Sequence, residues 1–245
     1  MIHVPLIDDD VIYKPAYTIG QAARFAQMHS VTVRRWLLGY RYENHEMQPV
    51  FGAVNLGGND PELMLSFIQL CELVVANRFR QGDAATEILG QRKTEMPLRL
   101  IRDAHKYARE KMGVDYPFAN LRLQSQGGHI LHEFEESTGS RGDLALDAGG
   151  NWVLPGIVSE ELEHFKYQQD GSVAECYPLG TRNPIRLNPR VRGGQPTVER
   201  TSVTVATIVN RIERGEKREI VAYDYGLDLA VIAATVSASK LYAVA

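Results

Sequence analysis

The sequence is poor in cysteine, and this scarcity excludes two classes of protein. Its 245 residues include only 2 cysteines, Cys71 and Cys176. Two thiols so far apart in the chain provide neither a disulfide framework nor the close cysteine spacing of a structural zinc site. We therefore expect neither a disulfide-stapled secreted domain nor a zinc finger.

Long apolar segments are missing as well. The longest run near the C-terminus, residues 229–235, is far shorter than the roughly 20 apolar residues that a membrane-spanning helix requires. Residues 1–10 contain three aspartates and no lysine or arginine, so they lack the basic start and apolar core of a signal peptide. We therefore expect a cytoplasmic protein.

No pattern typical of a catalytic site occurs in the chain. Phosphate-binding loops, dinucleotide fingerprints and a Ser-His-Asp arrangement are all absent from the sequence. His129 and His132 stand beside Glu133, but the local pattern predicts a strand, in which residues three apart lie on opposite faces. We therefore expect no enzymatic activity, no metal and no cofactor.

The charges are unevenly distributed along the chain. The formal net charge is only −3. Residues 182–218 nonetheless carry nine basic and three acidic side chains, whereas residues 129–175 carry two basic and ten acidic ones. Basic segments around an acidic middle favour a protein that binds a polyanion at particular places on its surface.

Residues 17–42 have the pattern of two short helices separated by a turn. Thr18 is placed to cap the first helix, and Ser30 or His29 to cap the second. One face of the first helix is apolar and consists of Ile19, Ala22, Ala23 and Ala26. Small residues on this face allow the close crossing that a helix-turn-helix requires.

The second of these helices separates apolar from basic positions. Val33, Trp36 and Leu37 share its inward face, so Trp36 is expected in the core. The outward positions are Val31, Thr32, Arg34 and Arg35. Residues 11–42 contain five basic side chains and no acidic one. Such a helix suits a phosphate-lined groove, but an ordinary helical hairpin with a solvated basic face has the same pattern.

The segment from residue 17 to about residue 96 resembles the MerR-type DNA-binding domain. The similarity lies in Tyr-Thr-Ile-Gly-x-Ala-Ala, Val-Arg-Arg-Trp-Leu and Leu-Ser-Phe-Ile-Gln-Leu, followed by Arg-Gln-Gly-Asp-Ala-Ala-Thr-Glu-Ile-Leu. It implies a winged helix-turn-helix with its wing in residues 43–58. Gln27 stands where that family has a glycine, and Val31 where it has an outward arginine. The DNA contacts that we expect are Thr18, Arg24, Ser30, Thr32, Arg34, Arg35 and Arg41.

Three further helices are expected before the middle of the chain, the second of them short and capped by Asp83. Asp60, followed by a proline and a glutamate, is a favourable start for a central, mostly buried helix. Pro97 and Gly113 bound another helix with an apolar face. In MerR-like proteins the helix at this position often pairs two protomers, so the resemblance predicts a homodimer. A hairpin around Asp170 and Gly171 is expected in the acidic region that follows.

The last part of the chain combines a lead-in rich in glycine and proline with three helical patterns. Asn-Pro-Arg-Val-Arg-Gly-Gly-Gln-Pro-Thr-Val precedes helices expected to begin near Val205, Arg218 and Leu229. Three short helices with a tight central turn predict a small trihelical, helix-turn-helix-like module. This segment resembles the C-terminal antitoxin module of the DUF433 type, in which a Gly-x-Pro step precedes a Val or Ile.

The order of these parts is similar to that of larger VapB-type antitoxins. By this resemblance, such antitoxins neutralise a PIN-like ribonuclease encoded beside them and repress their shared operon. Two partners are therefore implied, operator DNA and a cognate toxin. Metal-dependent nucleases cluster carboxylates, so basic side chains are suited to cover their active site. The candidate residues for toxin contact are Arg190, Arg192, Arg200, Arg211 and Arg214.

The sequence thus predicts an α+β, mostly helical protein. Its parts are a MerR-like winged-helix domain (1–96), a connecting and dimerisation helix (97–113), an acidic α+β middle region (114–180) and the trihelical module (181–245). Two alternatives stay open: a MerR-like transcriptional regulator that senses a small ligand, and an interaction adaptor that does not bind DNA. A nuclease reading frame beside the gene favours the antitoxin, whereas a lack of DNA affinity at low salt favours the adaptor.

Overall fold

The computed structural model describes residues 11–43, 45–51, 64–81, 97–120 and 164–242. Within these ranges the protein has a mixed α/β fold with seven α-helices and four two-stranded antiparallel sheets. The helices are α1 (Ile19–Phe25), α2 (Ser30–Leu38), α3 (Phe67–Gln81), α4 (Leu98–Met112), α5 (Val205–Glu213), α6 (Arg218–Tyr225) and α7 (Leu229–Tyr242), with a 3-10 helix at Arg192–Gly194. The paired strands are β1 (Pro15–Thr18) with β4 (Met64–Ser66), β2 (Tyr40–Tyr42) with β3 (His45–Met47), β5 (Phe165–Tyr167) with β6 (Val173–Cys176), and β7 (Ile185–Arg186) with β8 (Thr197–Val198).

The first two helices begin where the sequence predicts. The Thr18 hydroxyl accepts the backbone N–H of Gln21, and the Gln21 side chain accepts the backbone N–H of Thr18. This reciprocal capping box satisfies two otherwise unpaired donors. His29 caps α2, because its Nδ1 accepts the backbone N–H of Val31 at 3.4 Å. Gln27, between the helices, has a positive φ of 54°, a conformation that glycine adopts more easily.

A tight hairpin follows α2. Gly39 joins α2 to β2 with a φ of 71°, and a Cβ atom at this position would lie 2.3 Å from the carbonyl oxygen of Met47. The backbone N–H of Val50 donates to the carbonyl oxygen of Trp36 at 2.7 Å, which returns the chain to the end of α2. A loop or small hairpin is expected in residues 43–58; the observed hairpin, Tyr40–Met47, begins before that range, and residues 52–58 lie outside the described ranges.

The predicted start of the long buried helix is wrong. Residues Met64–Ser66 form β4, and α3 begins only at Phe67. Ser66 provides the cap, because its hydroxyl accepts the backbone N–H of Gln69 while the Gln69 side chain accepts the backbone N–H of Ser66. Residues 60–62 lie outside the described ranges. The predicted burial is confirmed, and the buried residues are Phe67, Ile68, Leu70, Cys71, Glu72, Leu73, Val74, Val75, Ala76, Asn77 and Phe79.

The helix α4 has the predicted bounds and buries its apolar face against its own chain. Pro97 precedes it, and Gly113 ends it in the left-handed conformation. Its buried residues are Ile101, Ala104, His105, Ala108 and Met112. On this face His105 Nε2 lies 2.6 Å from Glu72 Oε2 of α3. The apolar face is thus occupied within the protomer, so a homodimer would need a different surface.

The N-terminal and C-terminal parts share one apolar core. It extends from residues near β1 to Ala238 in α7. The Tyr17 hydroxyl donates to the carbonyl oxygen of Gly194 at 3.0 Å. Gln27 Nε2 donates to the carbonyl oxygen of Pro178 at 3.5 Å. Together these two contacts hold both ends of α1 against the last third of the chain.

The C-terminal elements follow the sequence pattern closely. The hairpin around Asp170 and Gly171 is confirmed as β5 and β6, and the three expected helices are present as α5, α6 and α7. These helices share a second apolar cluster with β8, formed by Val198, Ile208, Val221, Ala222 and Ile232. The expectations for residues 121–163, including the pair His129 and His132, lie outside the described ranges.

No single helix in the described ranges has the length and apolar character needed to cross a membrane. The segments Arg218–Tyr225 and Leu229–Ser239 reach the required length and composition only together, and the chain bends by 112° between them.

Candidate nucleic-acid interface

The outward face of α2 combines basic and apolar side chains. After the exposed Ser30 at its start, its exposed positions follow one helical stripe, at Val31, Arg34, Arg35 and Leu38. The opposite face is buried and consists of Val33, Trp36 and Leu37. The predicted orientation of this helix is therefore confirmed: both arginines reach solvent, and the tryptophan lies in the core.

The hairpin extends this surface beyond the end of α2. The Arg35 guanidinium lies over the ring of Tyr40, 4.9 Å from its centroid, which places the cation on an aromatic face at the start of β2. Arg41 and Tyr42 follow and are both exposed. Two arginines on the helix and one on the adjoining strand thus lie on a continuous stretch of chain. The acidic residues of the hairpin are Glu43 and Glu46.

The predicted hydroxyl contacts lie at the starts of α1 and α2. The Thr18 oxygen already accepts the backbone N–H of Gln21, but its own O–H can still donate to another partner. Ser30 is exposed as the first residue of α2, and Thr32 is half-buried. The first turn of α2 contains no acidic residue, so its free backbone N–H groups keep their attraction for an anion.

Arg24 is set apart from the exposed face of α2. It is half-buried and lines a shallow groove between α1 and α7, together with Met28, Leu179 and Ala238. Its Nε atom is buried without a hydrogen-bond partner among the described residues. The surroundings of Arg24 therefore belong to the C-terminal part of the protein, and the local helical pattern carries no information about them.

Exposed apolar side chains accompany the arginines of α2 and the hairpin. The outward position of Val31 follows from the sequence pattern, but the exposure of Leu38, Tyr42 and Met47 was not anticipated from it. Helical phase could have revealed Leu38, since it lies two turns after Val31. Apolar side chains beside arginines can contact the methyl group of thymine in a major groove, or a protein partner.

The arginines expected to contact a toxin fall on two parts of the C-terminal region. Arg190 and Arg200 lie on loops, Arg192 is the first residue of the 3-10 helix, and all three are exposed. Arg190 donates to the side chain of Gln168 at 3.2 Å, and Arg192 to the carbonyl oxygen of Ser202 at 3.1 Å. The φ angles of Arg192 and Arg200 are positive, at 51° and 61°. Such values in arginine indicate a turn whose conformation is imposed by its surroundings.

The remaining two candidates, on and after α5, differ in their contacts. The Arg211 guanidinium bonds Glu216 and donates to Asp224 at 2.6 Å, and it lies over the ring of Tyr225. The bonds to Glu216 and then to Asp224 hold the pKa of Arg211 above its ordinary value. The charge of Arg211 is therefore matched within the chain, where it joins α5 to α6. Arg214 is exposed just beyond the end of α5.

A network of balanced charges lies beside the same loops. Glu175 bonds Arg186 and also accepts the Tyr177 hydroxyl at 2.8 Å. Lys166 donates to Glu199 at 2.7 Å, and Tyr177 bonds the same carboxylate at 3.1 Å. Burial raises the pKa of Tyr177 to about 12. Two cations and two anions are thus paired, which makes this cluster a clamp between β5, β6 and β7.

The described residues contain no group of three or more His, Cys, Asp or Glu side chains that could hold a metal ion. The two cysteine thiols are both free and buried in the core.

Residues 185–237 match the protein family described as "Protein of unknown function (DUF433)". This range begins at β7 and continues through α5 and α6 into α7. The DUF433 resemblance of the C-terminal part is therefore confirmed for these residues.

Two curated proteins of Mycobacterium tuberculosis are similar to most of the chain. One is described as "Putative antitoxin VapB45" and is 25% identical over 227 residues, which cover 87% of this chain and 89% of the relative. The other, "Uncharacterized protein Rv2308", is 24% identical over 241 residues, or 95% of this chain and 93% of the relative.

The fold also has a counterpart among solved structures. The crystal structure of Rv2018 from Mycobacterium tuberculosis superposes with a TM-score of 0.71 at 22% sequence identity, covering 91% of this chain and 97% of that one. The arrangement of elements along nearly the whole chain therefore occurs in another protein. The chain is thus similar along most of its length to a protein described as a putative antitoxin, and its residues 185–237 match DUF433.

Proposed function

We propose that this protein is a DNA-binding antitoxin, which neutralises a PIN-like ribonuclease and represses the operon that encodes both. The observation that supports this most is its similarity to VapB45 along 87% of its length. The basic face of α2 supports the DNA-binding part of the proposal, and the exposed arginines near β8 support the toxin-binding part.

The DNA-binding part rests on α2 and the adjoining hairpin. In the proposed complex α2 enters a major groove, with Arg34 and Arg35 contacting phosphates or base edges. Arg41 reaches the backbone from the hairpin, which acts as the wing. Ser30 and the N-terminus of α2 face a phosphate, since the first turn carries no opposing charge. Val31, in place of an arginine, supplies an apolar contact instead of a charged one.

The toxin-binding part rests on four of the five candidate arginines. Arg190, Arg192, Arg200 and Arg214 are exposed, whereas Arg211 is occupied by Glu216 and Asp224. A nuclease that binds metal through clustered carboxylates presents an acidic cavity. Exposed guanidinium groups can enter such a cavity and pair with the carboxylates, which blocks access of the metal and the RNA. We therefore propose that the four exposed arginines contact the toxin.

A homodimer completes the proposal. Two copies of α2 would read a palindromic operator whose half-sites are about one helical turn of DNA, roughly 34 Å, or a multiple of it apart. Because the apolar face of α4 is buried within the protomer, the two copies would associate through another surface.

Toxin neutralisation is tested by co-expression. The nuclease reading frame beside the gene is induced in bacteria with or without this protein, and growth and co-purification are measured. We expect growth arrest with the nuclease alone and recovery with both proteins. Replacing the four exposed arginines by glutamate should abolish recovery, while Arg34→Ala with Arg35→Ala should leave it intact. Growth arrest that persists with the unaltered protein contradicts the proposal, and so does recovery without a complex.

A further inference from the structure

A groove of about 700 Å³ lies between α4 and the segment that follows the hairpin. Residues 48–51 form one side of it, and α4 with the turn after it forms the other. Its volume lies within the range of small-molecule sites. Val50 and Phe51 are buried, and together with Val114 they give this groove an apolar wall.

The opposite wall is basic. Arg102, Lys106 and Arg109 are spaced at i, i+4 and i+7, so they form one stripe along α4. Arg109 is paired with Asp115 at 2.6 Å, and Arg102 donates to backbone carbonyl groups. Lys106 is exposed and has no ion pair with any residue in the described ranges. Its ammonium group is therefore the cation in the groove that is left for a ligand.

The side chains at the base of the groove are already engaged with one another. The ring of Phe51 packs edge-on against the ring of His105, with centroids 5.3 Å apart. Below it, His105 is bonded to the buried Glu72 at 2.6 Å, so neither group is free for the ligand. Glu110 on the rim adds a negative charge near Lys106, which disfavours a doubly charged anion. The chemistry that fits is a small apolar molecule with a single negative charge.

The groove is connected to the end of α2 by hydrogen bonds. Arg102 donates to the carbonyl oxygens of Gln48 at 2.8 Å and of Pro49 at 3.0 Å. The next residue, Val50, donates its backbone N–H to Trp36 in α2 at 2.7 Å. A molecule that contacts residues 48–51 therefore contacts a segment that is bonded directly to α2.

The geometry points to a binding site for a small, apolar organic monoanion in this groove, whose occupation shifts α2 and the hairpin. The regulatory half of this inference rests on the proposed DNA binding by α2. The binding half does not, because the groove and its charges belong to α4 and residues 48–51.

The binding half is tested with two probes that differ by one sulfonate group. 1-Anilinonaphthalene-8-sulfonate carries a sulfonate, and N-phenyl-1-naphthylamine is its uncharged counterpart. Fluorescence titration of the full chain should show one saturable site for the anion. We expect Lys106→Glu to weaken anion binding about tenfold, or roughly 1.4 kcal/mol, and to leave the uncharged probe unaffected. The matched control is Arg99→Glu, because the Arg99 side chain is 88% exposed on the same helix but outside the groove.

Any one of three results overturns the inferred binding site: an equal loss of anion affinity in Lys106→Glu and Arg99→Glu, equal affinity of the unaltered protein for the two probes, or fluorescence that rises without saturation. If Lys106→Glu instead weakens DNA binding while the anion does not bind, α4 is a phosphate-contacting surface and the inference is wrong. The regulatory half is tested by adding the sulfonate to a DNA-binding assay. It should change the DNA affinity of the unaltered protein and of Arg99→Glu, and it should leave the DNA affinity of Lys106→Glu unchanged. If the unaltered protein binds the anion through Lys106 but binds no DNA, the DNA-binding part of the proposed function is refuted and the ligand site stands.

Discussion

The Tyr17 hydroxyl donates a hydrogen bond to the carbonyl oxygen of Gly194, a residue 177 positions later in the chain. Tyr17 belongs to the strand that leads into α1, and Gly194 to the segment that matches DUF433. Both residues are buried, and burial raises the pKa of the Tyr17 hydroxyl. The proposed DNA-binding elements and the proposed toxin-binding region are therefore joined in one folded unit, which allows events at one to affect the other.

Removing this contact should destabilise the whole fold. Tyr17→Phe loses one buried hydrogen bond and should lower the free energy of unfolding by about 1 kcal/mol. Gly194→Ala should cost about 2 kcal/mol or more, because φ is +80° and the new Cβ would lie 2.2 Å from the Tyr17 hydroxyl. Urea denaturation measures both changes. Tyr42→Phe is the matched control, since Tyr42 is 63% exposed, and an equal loss there would refute the role of the contact.

The two cysteines should be unreactive in the folded protein. Cys71 in α3 and Cys176 in β6 are both fully buried, and burial raises the pKa of the Cys71 thiol. Because the thiolate is the reactive form, modification requires the core to open. We expect reaction with Ellman's reagent to be at least about a hundredfold slower in buffer than in 6 M urea. Rapid reaction of either thiol in buffer would show that the two halves do not share a core.

The buried pair of Glu72 and His105 should behave as a unit. His105→Phe leaves the Glu72 carboxylate buried with the backbone N–H of Ala119 as its one remaining partner among the described residues, and it should cost about 3–5 kcal/mol of stability. Adding Glu72→Met to that variant should recover much of the loss, because two apolar side chains can replace a buried pair. The measurement is a double-mutant cycle by urea denaturation. Additive losses would show that the two side chains do not interact.

The ion pair of Lys166 and Glu199 should make the free energy of unfolding depend on pH in the acidic range. The hydrogen bond from Lys166, together with that from Tyr177, holds the pKa of Glu199 below its ordinary value. A carboxyl group with a lowered pKa stabilises the fold fully above its unfolded pKa, about 4.3, and loses this contribution as the pH falls through its folded pKa.

The corresponding variant is Lys166→Met. Half of the Lys166 side chain is exposed, so we expect a loss of only about 0.5–1 kcal/mol at pH 7. The difference from the unaltered protein should shrink towards zero as the pH falls from 7 through the folded pKa of Glu199, because the carboxyl group then becomes protonated in both proteins. Urea denaturation at a series of decreasing pH values measures this, and a difference that stays constant would show that the ion pair is not the cause.

Local sequence patterns were sufficient for most helices and insufficient for the contacts between them. The capping residues Thr18 and Gly113 and the apolar stripes locate α1, α2 and α4, because these signals lie within one or two helical turns. The start of α3 was missed because β4 exists only by pairing with β1, some 50 residues earlier. The contact between Tyr17 and Gly194 could not be predicted from local patterns either, because the two residues are 177 positions apart.

The same distinction separates the candidate site residues. Arg34 and Arg35 face solvent as their helical phase predicts, because the inward face is fixed by Trp36 and its neighbours. Arg24 was expected on the DNA surface, but it lies in the groove against α7, which is distant in sequence. Arg211 was likewise expected to be available to a partner, but it bonds Asp224 on the next helix, and this contact cannot be read from the local pattern of α5.

The most direct test of DNA binding by α2 is the affinity for the DNA upstream of the protein's own gene, measured across a series of salt concentrations. The unaltered protein is compared with the Arg34→Ala and Arg35→Ala double variant and with Arg99→Ala as a control. Each lost phosphate contact lowers the salt-dependence slope by about 0.9, so we predict a slope reduced by about 1 to 2 and an affinity reduced by about tenfold or more. The Arg99→Ala control should bind as the unaltered protein does. Unchanged affinity and slope in the double variant would contradict the role of α2 as the DNA-reading helix.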